Sequence, residues 1–96
     1  MPAYVIVETV NSDDSYVEAY RPKTMELIAK HGGKYLARAA PTARLEGKRE
    51  LPDLVLIFEF PSEAHAQAWY DDPEYQPLIK LRQTGARSEM TLVDGL

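Results

Sequence analysis

Cysteine is absent from the 96-residue sequence. Its absence excludes disulfide bonds, thiolate zinc sites and thiol catalysis, and it gives no indication of an oxidising compartment. Long apolar runs are absent too, because the stretch from Ala3 to Val7 is too short for a signal-peptide core or a membrane span. We therefore expect a cytoplasmic protein with no membrane partner.

Basic residues are fewer than acidic ones, 11 against 15, and the net charge is -4. This balance disfavours phosphate backbones and anionic lipid surfaces, so we expect no nucleic-acid partner. The sequence also lacks the motifs of nucleotide-binding proteins, zinc proteases and serine hydrolases. Only two histidines occur, His31 and His65, and neither a histidine metal site nor a haem ligand has positive support. We expect no cofactor and no metal.

The residues that are present fit one domain, 1–96, with a single hydrophobic core. Strands are predicted where apolar residues alternate or form short continuous runs, at 4–10, 34–39, 54–60 and 86–94. The runs 4–10 and 54–60 are apolar on both alternating faces apart from Glu8 and Glu59. This pattern is typical of central strands that are covered from two sides.

The first predicted helix begins at the capping residues 11–14 and runs to about Lys30. One stripe of this helix should face the sheet: Tyr16, Tyr20, Thr24, Leu27, Ile28 and His31. Pro22 is expected to kink the helix or to break it into two segments. Two glycines follow the helix. Gly32 can adopt the left-handed conformation that closes a helix, and Gly33 lets the backbone turn closely against the sheet.

A charged stretch bracketed by prolines, 40–52, predicts a long exposed connection between the second and third strands. Two further helices are predicted at 63–70 and at 73–85. Their sheet-facing residues should be Ala64, Ala68, Trp69, Tyr75, Leu78, Ile79 and Arg82. Alternation along the second strand puts Lys34, Leu36 and Arg38 on one face and Tyr35 and Ala37 on the other.

The predicted order is β-α-β-β-α-β, an α+β ferredoxin-like arrangement in which a four-stranded antiparallel sheet carries both helices on one face. The two strands that are apolar on both sides would then leave a large hydrophobic sheet face in water. We therefore predict an obligate homodimer that packs sheet against sheet and buries an interface of about 1,600 Å² in total. The 40–52 connection is expected to reach the partner.

Several short motifs occur together in this chain: the run from His31 to Arg38, Leu45-Glu46-Gly47, Phe60-Pro61-Ser62, Trp69-Tyr70 and Pro73-Glu74-Tyr75-Gln76, with Tyr20 and Pro22 before them. In this combination the sequence resembles the domain-of-unknown-function 1330 family over nearly its whole length. The resemblance implies a dimeric α+β barrel, in which two ferredoxin-like chains pack sheet to sheet. Relatives in that superfamily include cofactor-free monooxygenases, muconolactone-type isomerases, haem enzymes and ligand-sensing domains, and the family itself has no agreed activity.

Arg38 and Arg82 place guanidinium groups on otherwise apolar stripes. A pocket that recognises a carboxylate uses arginine in this way, through two parallel hydrogen bonds. Structural ion pairs would explain the two arginines equally well, with Glu46, Glu59 or Glu89 as partners.

His31 lies at a predicted helix C-terminus, and an imidazole titrates near neutral pH, so it is a candidate general acid or base. The simpler interpretation is a histidine that satisfies the last carbonyl groups of the helix. Trp69, Tyr75 and Tyr20 are candidates to line an aromatic pocket for a planar compound, together with Tyr16 and Tyr70. Core packing is the more frequent use of such side chains.

We predict a single pocket between the sheet and the helices. In it Arg38 and Arg82 bind an anionic or carbonyl group, Trp69 and Tyr75 hold the apolar body of the ligand beside Tyr20, and His31 handles a proton.

Three functions remain open. The leading one is a cofactor-independent monooxygenase or isomerase that acts on a small anionic or aromatic compound, by analogy of fold. The second is a non-catalytic ligand-binding or sensory module. The third is a tautomerase in which removal of Met1 exposes the amine of Pro2 as a base.

Overall fold

A four-stranded antiparallel sheet carries the helices on one of its faces. The computed structural model describes residues 1–96. Its strands are β1 (Ala3–Asn11), β2 (Lys34–Ala39), β3 (Leu54–Phe60) and β4 (Ala86–Asp94), in the spatial order β2-β3-β1-β4. Its helices are α1 (Val17–Lys30), α2 (Glu63–Asp71) and α3 (Gln76–Gln83), and a 3₁₀ turn, Asp14–Tyr16, precedes α1. The α+β ferredoxin-like fold predicted from the sequence is therefore confirmed.

Side chains of the central strand β1 point alternately to a covered face and to an open face of the sheet. Its odd-numbered residues, from Ala3 to Thr9, are buried beneath the helices. The neighbouring strands add side chains to the same layer, since Val5 lies opposite Phe58 of β3 and Leu92 of β4. These residues form the floor on which the helices pack.

A bulge in β2 decides which of its side chains face the helices. Tyr35 lies opposite Phe58 and Arg38 lies opposite Leu56, so Leu36 is an extra residue without a partner. Because the alternation shifts by one residue there, Tyr35 and Arg38 share the helix face. The prediction from simple alternation, which placed Arg38 on the same face as Leu36 and Tyr35 on the other face, was therefore wrong.

Helix α1 runs unbroken through Pro22, so the predicted break into two segments is wrong. Pro22 removes the donor for the carbonyl of Glu18, but both residues are exposed and water can satisfy that carbonyl. The capping residue predicted before this helix caps the 3₁₀ turn instead: the Asp13 side chain accepts a hydrogen bond from the backbone N–H of Ser15 at 3.0 Å, whereas α1 itself begins at Val17 without a side-chain cap. The buried residues of this segment are those of the predicted stripe: Tyr16, Thr24, Leu27 and Ile28.

The two shorter helices bury slightly different residues from those expected. On α2 the buried small residue is Ala66, whereas Ala64 and Ala68 are exposed, because Trp69 fixes the inward stripe at a spacing of three residues. The third helix begins at Gln76 rather than Pro73, after a turn. Its predicted stripe is confirmed, with Tyr75, Leu78 and Arg82 buried and Ile79 half-buried.

Aromatic side chains make up the centre of the core. The ring of Trp69, which is 1% exposed, stacks at 4.6 Å from that of Tyr75 and lies 5.7 Å from both Phe58 and Phe60. Such contacts add to the apolar burial of each ring. They connect α2, the turn before α3 and strand β3 in one cluster.

The opposite face of the sheet has no helix over it. Its middle is apolar, and Ile6 and Val93 there are 37% and 41% exposed. Like charges lie directly opposite each other near one end, where Glu8 pairs with Glu89. The connection 40–53 has no regular element and is mostly exposed. Among the helices, none has the length and apolar character that a membrane crossing requires.

Both glycines at the end of α1 have the predicted roles. Gly32 adopts a φ of +81°, and the backbone N–H of Gly33 donates to the carbonyl of Ile28 at 2.8 Å. A Cβ on Gly33 would lie 2.6 Å from the Phe60 ring and 2.7 Å from the Ile28 side chain. Both neighbours are fully buried, so neither has room to move.

We therefore predict that Gly33→Ala lowers the free energy of unfolding by about 3 kcal/mol, because it overpacks the core. Gly47→Ala is the control, since a Cβ there meets only an exposed arginine at 3.7 Å and its positive φ should cost about 1 kcal/mol. Urea unfolding measures both values. Equal losses in the two variants would contradict the close packing of Gly33.

Candidate functional site

A small cavity lies between α1 and the covered face of the sheet, with a volume of about 50 Å³. Of its 14 lining residues, three are arginines, three are tyrosines, two are threonines and six are apolar. The lining contains no aspartate, glutamate, histidine or lysine. The polar residues are Thr9, Tyr16, Tyr20, Arg21, Thr24, Tyr35, Arg38 and Arg82. The cavity is thus positively charged, in a chain whose net charge is -4.

Arg82 projects into this layer from α3 and is only 7% exposed. Its Nη1 donates hydrogen bonds to the hydroxyl oxygens of Tyr75, at 3.0 Å, and Tyr20, at 3.3 Å. Those two hydroxyl groups are 2.6 Å apart. The Nε of Arg82 has no hydrogen-bond partner, and no carboxylate lies within ion-pair distance of the guanidinium. The hydrogen-bond partners of this buried cation are neutral hydroxyl groups alone.

The protonation states around Arg82 follow from its surroundings. Burial raises the pKa of the Tyr75 phenol, and the neighbouring Tyr20 raises it further. Burial also raises the pKa of Tyr16 and of Tyr35. For Arg82, burial acts against the charge, but Tyr20 and Tyr75 outweigh it and raise the pKa of the guanidinium. At neutral pH Arg82 is therefore charged, and the phenols of Tyr16, Tyr35 and Tyr75 are neutral.

Two further arginines lie at the mouth of the cavity. Arg38 is exposed, and its guanidinium lies 5.8 Å from the centre of the Tyr35 ring. Arg21 is half-buried on α1. Neither has a carboxylate within ion-pair distance. The structural ion pairs that were the alternative explanation of Arg38 and Arg82 are therefore not observed. Glu59 forms an ion pair with Lys34 instead, at 3.2 Å.

The size and charge of the cavity limit what it can hold. A single water needs roughly 10–15 Å³ when the volume is measured in this way, so 50 Å³ suits a group of a few heavy atoms. Arginine and tyrosine side chains of this kind offer hydrogen-bond donors, and a carboxylate is the acceptor that matches a guanidinium. With no carboxylate or imidazole in the lining, the cavity has no ordinary general base.

His31 lies outside this cavity. Its Nε2 is 2.8 Å from the Oδ2 of Asp72, a carboxylate that also accepts from the Lys30 ammonium at 3.0 Å and from the backbone N–H of Glu74 at 2.9 Å. The expected convergence of His31 with Arg38 and Arg82 does not occur, because the helix end is tied to the turn before α3. In this position His31 connects the end of α1 to the turn before α3.

Two aromatic residues that were predicted to line the pocket also lie outside the cavity. Trp69 and Tyr75 are core side chains, and neither lines it. Tyr75 reaches the site only through its hydroxyl group, which orients Arg82. Of the predicted residues, the structure brings Arg38, Arg82, Tyr20 and Tyr16 together around one cavity.

Sequence reasoning did not name four polar residues of the cavity as candidates, namely Thr9, Arg21, Thr24 and Tyr35. Tyr35 was assigned to the other face, because nothing in its sequence marks the bulge. Thr24 was on the predicted inward stripe, and its hydroxyl is buried without a hydrogen-bond partner. Arg21 lies next to that stripe, and a stripe wide enough to include it would have identified it.

Comparisons with known proteins identify a family for this chain and solved structures that share its fold. The family model of a domain of unknown function, DUF1330, matches residues 2–96. A protein of unknown function from Rhodopseudomonas palustris superposes with a TM-score of 0.83 at 22% identity, over 99% of this chain and 82% of its own. Among the curated proteins, no sequence matches.

Two other solved structures share the fold at lower identity. SnoaB, a cofactor-independent oxygenase from Streptomyces nogalater, has a TM-score of 0.71 at 12% identity, over 99% of this chain and 93% of its own. A dimeric ferredoxin-like protein of unknown function from Jannaschia sp. CCS1 has a TM-score of 0.64 at 12% identity, over 99% of this chain and all of its own. Similarity at this identity establishes the fold alone.

The cluster around Asp72 predicts how stability depends on pH. The hydrogen bond from His31, the N–H of Glu74 and the Lys30 ammonium hold the pKa of Asp72 well below its usual range. A carboxylate with a depressed folded-state pKa contributes stability above its unfolded value, about 3.9, and loses it as the pH falls through the folded value.

We expect Asp72→Asn to lower the urea midpoint at pH 7, and the gap to wild type to narrow below about pH 4. The matched control is Asp71→Asn, since that exposed neighbour bonds only the side chain of Gln67, at 3.0 Å. Urea unfolding of the three proteins across this pH range provides the comparison. A gap that stays constant down to the lowest pH would contradict the role of the Asp72 charge.

Proposed function

This chain belongs to the DUF1330 family, and we propose that it is a homodimeric protein that binds a small organic anion. The anionic head group enters the cavity between α1 and the sheet. Arg82 holds it from below and Arg38 from the mouth, and Tyr20 adds a hydroxyl group. The body of the ligand is apolar or aromatic.

The observation that carries this proposal is the unpaired, buried charge of Arg82. Burying a guanidinium costs free energy unless an anion or several hydrogen bonds compensate for it. Arg82 has two hydrogen bonds to neutral hydroxyl groups and an Nε without a partner. An apolar side chain would fill the same place at lower cost, which supports a role for the charge in binding.

The other charged groups near the cavity support the same interpretation. Arg21 and Arg38 add two cations at the mouth, and no acidic side chain lies in the lining to repel an anion. The buried guanidinium of Arg82 attracts an anion more strongly than it would in water.

An enzyme of the cofactor-independent oxygenase or isomerase kind remains the leading catalytic candidate. Its support is the shared fold with SnoaB, described as a cofactor-independent oxygenase, and this is an analogy. The lack of a general base among the lining residues favours the second candidate, a binding or sensory module without turnover. Turnover assays that monitor oxygen consumption and product formation with a bound acid distinguish the two candidates.

The tautomerase alternative gains no support. Pro2 does not line the cavity, and its carbonyl accepts a hydrogen bond from the backbone of Gly95 at 2.7 Å.

The homodimer is proposed from the open face of the sheet. Ile6, Ile57 and Val93 lie on that face without a covering layer, and an apolar surface of this kind is typical of an interface. A neighbour in fold, from Jannaschia sp. CCS1, is described as dimeric. We expect two copies to pack with their open faces together.

We predict that light scattering at micromolar concentration gives the mass of two chains. Ile57→Arg should shift the protein to one chain, because it places an unpaired charge in the centre of the interface. Met25→Arg, on the exposed side of α1, should leave the dimer intact. A wild-type protein that is monomeric at this concentration would contradict the dimer.

The binding proposal is tested by Arg82→Met, with benzoate as the probe in isothermal titration calorimetry. Affinity should fall by about tenfold or more, since hydrogen bonds to a charged group contribute about 1.5–3 kcal/mol. The free energy of unfolding should rise or change by no more than about 1 kcal/mol, because an apolar side chain replaces an unpaired ion.

The control for this variant is Arg44→Met in the exposed connection, which removes the same charge far from the cavity. Its benzoate affinity should equal that of wild type. An Arg82→Met protein that binds benzoate with wild-type affinity would contradict the proposal. A loss of several kcal/mol in its free energy of unfolding would also contradict it, since Arg82 would then be a structural residue.

A further inference from the structure

A groove runs between β4 and the helices α2 and α3. Its volume is about 410 Å³, against about 50 Å³ for the Arg82 cavity. Tyr70 and Leu92 lie in its wall, and each is 39% exposed although it is large and apolar. The volume of the groove is in the range that holds a small organic molecule.

The groove and the cavity share part of their walls, because Arg82 and Met90 line both. Next to them, the hydroxyl of Thr9, which lines the cavity, is 2.9 Å from that of Ser88, which lines the groove. The partition between the two spaces is therefore thin. Met90 is its adaptable part, since an unbranched thioether side chain changes rotamer readily.

The chemistry of the groove differs from that of the cavity. Arg82 is the only charged residue that lines it. Its other polar residues are uncharged amides and hydroxyls, namely Gln67, Gln83, Ser88 and Thr91. The rest of the lining is apolar or aromatic, including a surface of Trp69. Such walls suit a largely apolar body with uncharged polar substituents.

We infer that this groove binds the body of the same acid whose head group Arg82 holds. The ligand class is an amphipathic organic acid with a planar or alicyclic body that bears hydroxyl or carbonyl groups. The inference rests on the proposed function, since it takes an anion at Arg82 as its starting point.

Size is the first argument for this ligand class. A cavity of about 50 Å³ accepts a carboxylate but not a ring, so the remainder of an organic acid must lie elsewhere. The groove adjoins the cavity at Met90, the adaptable part of the partition, and it reaches the same guanidinium. A bound ring would also cover the exposed apolar surface of Tyr70 and Leu92.

The test is a titration of the ¹⁵N-labelled protein, followed by NMR, with two probes. Acetate is the head group alone, and 6-hydroxy-2-naphthoate adds a planar body with a hydroxyl group. The chain has one tryptophan, so the single indole N–H signal of Trp69 reports on the groove. The side-chain N–H signal of Arg82 reports on the head group.

Both probes should shift the Arg82 signal, and only the naphthoate should shift the signals of Trp69 and of the Ser88 backbone. If both probes shift Arg82 and neither shifts Trp69, the groove inference is wrong while the proposed function stands. If neither probe shifts Arg82, the proposed function fails as well. A methyl ester of the naphthoate that binds the groove as tightly as the acid would overturn the link to Arg82.

A pair of surface variants on α2 adds a second test. Gln67→Phe fills the groove, and Ala68→Phe adds the same ring at an exposed neighbouring position outside it. The first variant should weaken naphthoate binding by about tenfold and leave acetate binding unchanged, because only the ligand body is displaced. Equal naphthoate affinity in the two variants would overturn the inference.

Discussion

An unpaired guanidinium inside the protein is the constraint on which the rest of the candidate site depends. Arg82 lies beneath α1 with hydroxyl groups as its only partners, in a layer where an ion is expensive to bury. Because apolar replacements of buried ions are often neutral or stabilising, stability alone does not explain an arginine at this position. The absence of acidic residues from the cavity leaves the charge available to a ligand.

The fold holds Arg82 by means of contacts that are structural in themselves. Tyr75 receives its position from the stacked ring of Trp69 and from the turn that Asp72 caps. His31 and Lys30 fasten that turn to the end of α1. A histidine that invites a catalytic interpretation in the sequence thus acts at a distance from the cavity, as part of the frame that orients the phenol beside Arg82.

Sequence patterns predicted the strands and the inward stripe of α3 well, because hydrophobic periodicity is strong there. That stripe correctly placed Arg82 on the inward face of α3. The bulge at Leu36 could not be predicted, since it depends on how β2 pairs with β3 and no glycine or proline marks it. Its consequence for the site is large, because it turns Arg38 and Tyr35 to the same side. The separation of His31 from the cavity was equally hidden, since it depends on a contact with Asp72, 41 residues away in the chain.

The most direct test of the central claim is a crystal structure of the dimer grown with 4-bromobenzoate, in which the anomalous signal of bromine locates the ligand. Our account predicts a carboxylate within hydrogen-bond distance of the Arg82 guanidinium, with the ring directed towards the groove beside β4. A side-chain carboxylate on Arg82, from its own chain or from the partner, would contradict it, because the charge would then be a structural one.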